Sequence, residues 1–251
     1  MKRCLVACLS SILFLASLSE RTDESAREII QKADEMMRGK TMYGEYSMTI
    51  TRPEWQRSMR FKFWSEGTER SFILMLAPAK DKGVTFLKLG REMWNYIPKI
   101  NREVKVPPSM MLQSWMGSDF TNDDLVKESS VVDDYHHSLL AREQEQGFDA
   151  YKVLLKPKPE AAVVWDSIIE WIRAKDYIPL RAQYFNQRGE LIRTLIFSDI
   201  KHLGGRTIPA KMELIEEKKP GRKTTMVLED ASFDKPIKKS TFSKQFLRRA
   251  R

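Results

Sequence analysis

From Gly39 onward the apolar residues of this chain recur at every second position, segment after segment. Tyr46, Met48 and Ile50 alternate with Ser47, Thr49 and Thr51, and Met59, Phe61 and Phe63 alternate with Arg60 and Lys62. Tyr151, Val153 and Leu155 face away from Lys152 and Lys156. Ile178, Leu180, Ala182 and Tyr184 oppose Arg181 and Gln183, and Ala210, Met212 and Leu214 oppose Lys211 and Glu213. A period of two describes a strand with one buried and one wet face, the usual property of an antiparallel sheet. Turn-forming residues separate the runs at Glu66-Gly67, Gln187-Arg188-Gly189, Gly204-Gly205 and Pro220-Gly221. Together these signals predict roughly eleven strands. Helical spacing is scarce. Ser25-x-x-Glu28 is a capping box, followed by Ile29, Ile30, Ala33, Met36 and Met37 at helical intervals up to Arg38, with Gly39 closing the helix. Shorter helical pieces are expected at 109–115, 121–126 and 240–246. So many one-sided strands with so little helix leave two architectures. Two sheets can pack face to face around a filled core, or one sheet can curl around its own interior. The alternation is compatible with both.

The N-terminus predicts secretion. Met1-Lys2-Arg3 is a basic start, Cys4 to Leu18 is almost unbroken apolar sequence, and small residues at Ser17 and Ser19 precede the polar Glu20-Arg21-Thr22-Asp23. The apolar run is shorter than the ~20 residues that a membrane-spanning helix needs. We therefore read 1–19 as a cleaved signal peptide and 20–251 as one domain, since no linker-like stretch or internal repeat divides the rest. Both cysteines, Cys4 and Cys8, fall inside the signal, so neither disulfides nor thiol chemistry is expected of the mature chain. The net charge is +9, less the two charges of Lys2 and Arg3 once the signal leaves. Such a surface favours anionic partners, and secretion removes nucleic acid from among them.

The inward strand positions are rich in Met and Phe. Met is an unbranched side chain that repacks around variable shapes, a useful property in a wall that holds acyl chains. The most specific stretch is 91–125, REMWNYIPKINREVKVPPSMMLQSWMGSDFTNDDL. Two strand-like runs, 93–97 and 103–106, flank the turn Pro98-Lys99-Ile100-Asn101. Pro107-Pro108 stops the second run, because proline lacks an amide donor and restricts the residue before it. An apolar segment then leads to Gly117-Ser118-Asp119-Phe120-Thr121.

This succession of a Trp-x-Tyr-x-Pro strand, a basic hairpin, a Met- and Trp-rich cap and Gly-Ser-Asp-Phe resembles the LolA-like family of outer-membrane lipoprotein-sorting proteins. Within it, the chain is most similar to a divergent, uncharacterised periplasmic branch. The order of elements over most of the mature chain is similar too, down to a late Phe-Ser-x-x-Phe-Leu at 242–247. The resemblance implies a mainly β fold, a single curved antiparallel sheet forming an open half-barrel covered by a few helices. It implies a periplasmic carrier of lipid or lipoprotein acyl chains that works between an inner-membrane transporter and an outer-membrane acceptor. It also implies a strand arginine that holds a lid, which the resemblance does not assign to a position here. A second class that it admits is a periplasmic lipid or lipoprotein sensor, or an accessory protein that regulates an envelope-stress pathway or a lipid exporter.

On this reading Met48, Ile50, Met59, Phe61, Phe63, Trp94, Tyr96, Leu180, Tyr184 and Met212 are candidates for the wall of a lipid cavity. Met110, Met111, Leu112, Trp115, Met116 and Phe120 are candidates for a lid, hinged at Pro107-Pro108 and Gly117. The hairpin tip Lys218-Lys219-Pro220-Gly221-Arg222-Lys223 gathers positive charge, so Lys218, Lys219, Arg222 and Lys223 are candidates for transient membrane-surface or partner contact. Catalysis, metal and cofactor are not expected. Asp133-Asp134-Tyr135-His136-His137 offers donors that are consecutive rather than spaced to converge. Gly117-Ser118-Asp119 lacks the glycine-flanked elbow of a serine hydrolase, and no glycine-rich phosphate loop is present. Asp123-Asp124 reads as helix capping.

Overall fold

The computed structural model describes residues 24–126, 130–161 and 163–250. The expected signal peptide and its cleavage point lie outside these residues. The first helix, α1 (Ala26–Arg38), begins where the capping box places it: the Ser25 side chain accepts the Glu28 amide, and the Glu28 carboxylate accepts the Ser25 amide. It ends as Gly39, at φ 63°, donates its N–H to the Glu35 carbonyl.

Six strands follow: β1 (Thr41–Thr51), β2 (Gln56–Glu66), β3 (Arg70–Ala77), β4 (Thr85–Leu89), β5 (Glu92–Ile97) and β6 (Arg102–Val106). After a connecting segment that carries the short helix α2 (Asn122–Val126), seven more complete the sheet. These are β7 (Tyr135–Glu145), β8 (Phe148–Pro157), β9 (Ser167–Arg173), β10 (Pro179–Phe185), β11 (Leu191–Leu203), β12 (Arg206–Glu216) and β13 (Lys223–Phe233). A last helix, α3 (Lys244–Arg249), ends the described chain. The described residues thus form thirteen strands in one antiparallel sheet that does not close into a barrel, the open half-barrel that the resemblance implied.

The topology decides where anything can bind. The spatial order is β6-β5-β4-β3-β2-β1-β13-β12-β11-β10-β9-β8-β7. Two meanders are therefore joined where β1 pairs with β13, and the two free edges belong to β6 and β7. These strands are consecutive in the chain. The described residues of their connection, 107–126 and 130–134, pack across the concave face, on the open side of the half-barrel.

Two apolar clusters fill the concave face. On the β1–β5 half, Met48, Ile50, Met59, Phe61, Ile73, Met75, Phe86 and Met93 pack against Met111, Trp115 and Phe120 of the crossing segment. On the β7–β10 half, Val153, Leu155, Ile168, Ile172 and Ala182 pack under Ile29, Ile30 and Ala33 of α1. Ile29 and Ile30 are fully buried, and each gives roughly 1.5–3 kcal/mol. The convex face is partly covered as well. Phe72, Leu74, Leu87, Trp94 and Tyr96 lie beneath Phe242, Leu247 and Ala250, and the Thr85 hydroxyl donates to the Leu247 carbonyl at 2.6 Å.

The described sheet has thirteen strands where the sequence predicted roughly eleven, and the convex cover hides two of them from a reading by alternation. β3 and β4 are buried on both faces and show no alternation to read. The helix expected at 109–115 is instead two 3-10 turns, Pro108–Met110 and Trp115–Gly117, with Met116 at φ 53° between its neighbours. The helical piece expected at 121–126 is α2, and the C-terminal turn is Lys239–Phe242 followed by α3.

Candidate functional site

Between α1, the crossing segment and the sheet lies a cavity of about 530 Å³. That is within the size range of small-molecule sites. Its floor comes from Met42 and Tyr46 of β1, Phe61 and Phe63 of β2, and Met212, Leu214 and Met226 of β12 and β13. Ile30, Ala33 and Met37 of α1 form one side. Met111, Leu112 and Phe120 of the crossing segment form the roof, and Val163, Val164 and Trp165 of the β8–β9 loop close the far end with Tyr184. Val164 and Leu112 are about half exposed, placing greasy surface at the rim.

Of the residues read from the sequence as cavity wall, Phe61, Phe63, Tyr184 and Met212 line this space. Met48, Ile50 and Met59 belong to the packed cluster beside it rather than to its surface. Trp94 and Tyr96 are corrections. They share the convex face of β5 under the C-terminal segment, and it is Met93 that points inward. Leu180 is a correction too. A register shift between Pro179 and Arg181 displaces the alternation, so Pro179 faces the cavity while Leu180 packs with Ala150, Trp171 and Ile178. Sequence reasoning missed the contribution of α1 and of the β8–β9 loop.

The crossing segment is fastened by arginines. Arg52, at the end of β1, makes a bidentate pair with Asp119, both bonds 2.9 Å, and donates to the Gly117 carbonyl at 3.2 Å. Both side chains are buried, Arg52 at 6% and Asp119 at 2% exposure. Asp119 is held again by Thr224, whose hydroxyl donates to the carboxylate at 2.7 Å and accepts the Asp119 amide at 3.0 Å. Arg57 donates to the Met116 carbonyl at 2.6 Å. Farther along, Arg193 of β11 reaches Asp124 with two bonds of 2.7 Å, its guanidinium lying over the rings of Trp165 and Tyr184. Asp124 also accepts from the Thr121 amide and hydroxyl, so the capping role read from the sequence holds and an ion pair is added to it.

Among the lid candidates, Trp115 is fully buried, edge-on to Phe61 with centroids 5.4 Å apart and tilted against Phe86 at 5.4 Å. Met116 packs against the same cluster, and Met110 is exposed.

Burial alone would push the Asp124 carboxyl up. The adjacent Arg193 charge and its hydrogen bonds outweigh burial and hold it below the ordinary carboxylate range. A carboxyl with a depressed folded pKa contributes stability that is complete above its unfolded value of ~3.9 and is lost as pH falls through the lower folded value. Tryptophan fluorescence should therefore stay constant from about pH 7 to pH 5 and change only in stronger acid. A transition near pH 6 would show that this pair does not govern the crossing segment.

The basic hairpin tip is less bare than its sequence implies. Lys218 lies 3.6 Å from Glu190, Lys219 3.7 Å from Glu216, Arg222 3.7 Å from Asp119 and Lys223 3.0 Å from Glu213. The tip thus closes beside the crossing segment, and its charge is largely answered from within. In the sequence's candidate metal cluster, His137 turns its Nε2 to the Val131 carbonyl at 2.7 Å. Among the described residues no three His, Cys, Asp or Glu side chains form a group fit to hold a metal ion, and no helix is long and apolar enough to cross a membrane.

Solved structures share this fold. A DUF1329 family protein from Desulfovibrio piger superposes with a TM-score of 0.80 at 23% identity, covering 88% of this chain and 97% of that one. A LolA superfamily protein from Nitrosomonas europaea gives 0.75 at 20% identity, over 89% of this chain and 99% of that one. An outer membrane lipoprotein-sorting protein domain, described as putative, from Vibrio parahaemolyticus gives 0.77 at 19%, over 89% and 98%. At these identities the likeness is one of fold. No curated protein matches the chain. A protein-family model described as "Uncharacterized protein" matches residues 67–249. The chain belongs to that family, and its half-barrel is LolA-like.

Proposed function

We propose that this protein is a periplasmic carrier that holds lipid, or the acyl chains of lipoproteins, in the cavity and moves them between inner and outer membrane without covalent chemistry. The observation that carries this reading is the position of the cavity: it lies between the concave face of an open sheet and a segment that packs across its open side. The lining supports it. Met37, Met42, Met111, Met212 and Met226 give a wall that adapts to chains of different shape. Burying an acyl chain yields about 0.8 kcal/mol per methylene, so ten methylenes give roughly 8 kcal/mol before ordering costs. That corresponds to about micromolar binding, enough to carry a chain and still release it. The segment 107–121 acts as the lid, fastened by Arg52 and Arg57, while Arg193 holds the turn that follows it at Asp124; transfer partners are an inner-membrane transporter and an outer-membrane acceptor.

Native mass spectrometry of protein purified gently from a periplasm tests the reading. Adducts of lipid mass on a mature chain that begins near Glu20 are expected. A chain that stays free of adducts and takes up no added amphiphile at tens of micromolar would exclude the carrier role.

A further inference from the structure

One end of the cavity is built differently from the rest. Along the paired strands β2 and β3, the inward residues run Phe61 opposite Met75, Phe63 opposite Ile73, and then Ser65 opposite Ser71. The lining therefore changes from rings and aliphatic chains to a pair of facing hydroxyls. Both serines are nearly buried, at 4% and 6% exposure, and both line the cavity. Among the described residues neither hydroxyl has a hydrogen-bond partner. The backbone around them is pinned. The Gly67 amide donates to the Lys40 carbonyl at 2.9 Å, and the Lys88 ammonium, next in the row beyond Ser71, donates to the Thr68 carbonyl at 2.7 Å.

The two guanidiniums at this end are already paired with carboxylates. Arg38 makes two bonds to Asp34, of 2.6 and 3.2 Å, with both side chains about 15% exposed, and Arg70 pairs with Glu66 at 3.0 Å. An anionic headgroup would have to draw one of these guanidiniums away and leave a half-buried carboxylate behind, a poor exchange in a partly desolvated site. Free hydroxyls make no such demand. Each can donate to an ester carbonyl or accept from an alcohol.

We propose that Ser65 and Ser71 form a headgroup site for an uncharged, hydroxyl- or ester-bearing amphiphile, of the acylglyceryl class, whose chain lies over Phe63 and Phe61. The inference rests on the carrier reading and narrows it. Sites that hydrogen-bond a ligand discriminate strongly against analogues that cannot answer those bonds.

Titration of the purified mature protein with three probes of equal chain length tests it: monodecanoylglycerol, decanoate and a decanoyl lysophosphatidylglycerol. The monoacylglycerol should bind at least tenfold more tightly than either anion. In the Ser65→Ala/Ser71→Ala double variant its affinity should fall about tenfold, as two lost hydrogen bonds imply, with decanoate unchanged. Ser71→Thr keeps the hydroxyl and should keep the ranking. Circular dichroism reports the fold of each variant, and if the double variant is unfolded, the wild-type ranking and Ser71→Ala decide. Equal binding of all three probes, tighter binding of an anion, or a preference that survives loss of the hydroxyls overturns the headgroup site and leaves the carrier reading intact. Failure of every probe to bind defeats the carrier reading itself, and the headgroup site with it.

Discussion

Asp119→Asn is expected to destabilise the protein by about 3–5 kcal/mol, because it leaves Arg52 charged, buried and without a counter-ion. Arg222, 3.7 Å from the same carboxylate, loses its acidic neighbour at the same time. For a chain of this size the loss corresponds to a fall of roughly 6–20 °C in melting temperature. Equilibrium unfolding in urea measures it. The double variant Arg52→Met/Asp119→Leu removes both charges and should recover most of the loss, since a buried ion pair exchanged for apolar side chains of similar size is often close to neutral. The pair of measurements separates what the salt bridge contributes to folding from what its removal leaves uncompensated. If Asp119→Asn unfolds within half a kcal/mol of the parent, Arg52 does not fasten the crossing segment.

Much of this fold is written locally. The capping box at Ser25 and Glu28, the glycine end of α1, the stop at Pro107-Pro108 and the strict alternation of β1 are all properties of a few neighbouring residues. The cavity wall is only half written. A period of two says that Trp94 and Tyr96 share a face and that Met93 lies on the other. Which face becomes concave depends on the C-terminal segment that covers Trp94, more than a hundred positions later in the chain. Leu180 shows a second limit: one register shift turns a wall residue into an outward one, and the alternation of Ile178, Leu180 and Ala182 gives no sign of it. The fastening of the cap was invisible for a third reason. Arg52 and Asp119 are 67 positions apart, and Arg193 and Asp124 are 69 apart, so no local pattern links them. What could have exposed them is topology. Once β6 and β7 are recognised as the two edges, the acidic residues of their connection must meet the ends of the strands that it crosses.

Trp115 decides whether the crossing segment is held by charge alone or also by packing. It is fully buried between Phe61 and Phe86, and among the described residues its indole N–H has no hydrogen-bond partner. Two effects oppose each other here. Truncation to alanine empties a large volume in the cluster, and tryptophan-to-alanine changes in a core cost about 3–5 kcal/mol. The unpaired N–H, in contrast, is a standing penalty of about 1–3 kcal/mol in the closed state. Trp115→Phe keeps most of the ring contact and removes that penalty, so it should fall within about 1 kcal/mol of the parent while Trp115→Ala loses several. Such an orphaned donor also makes the closed state easier to leave, as a lid requires. Loading with decanoate should therefore shift the Trp115 emission in the parent, and Trp115→Ala should release ligand faster than Trp115→Phe. Should alanine cost less than 1 kcal/mol, or should the emission stay fixed throughout loading, Trp115 is neither the anchor of the segment nor part of a moving lid.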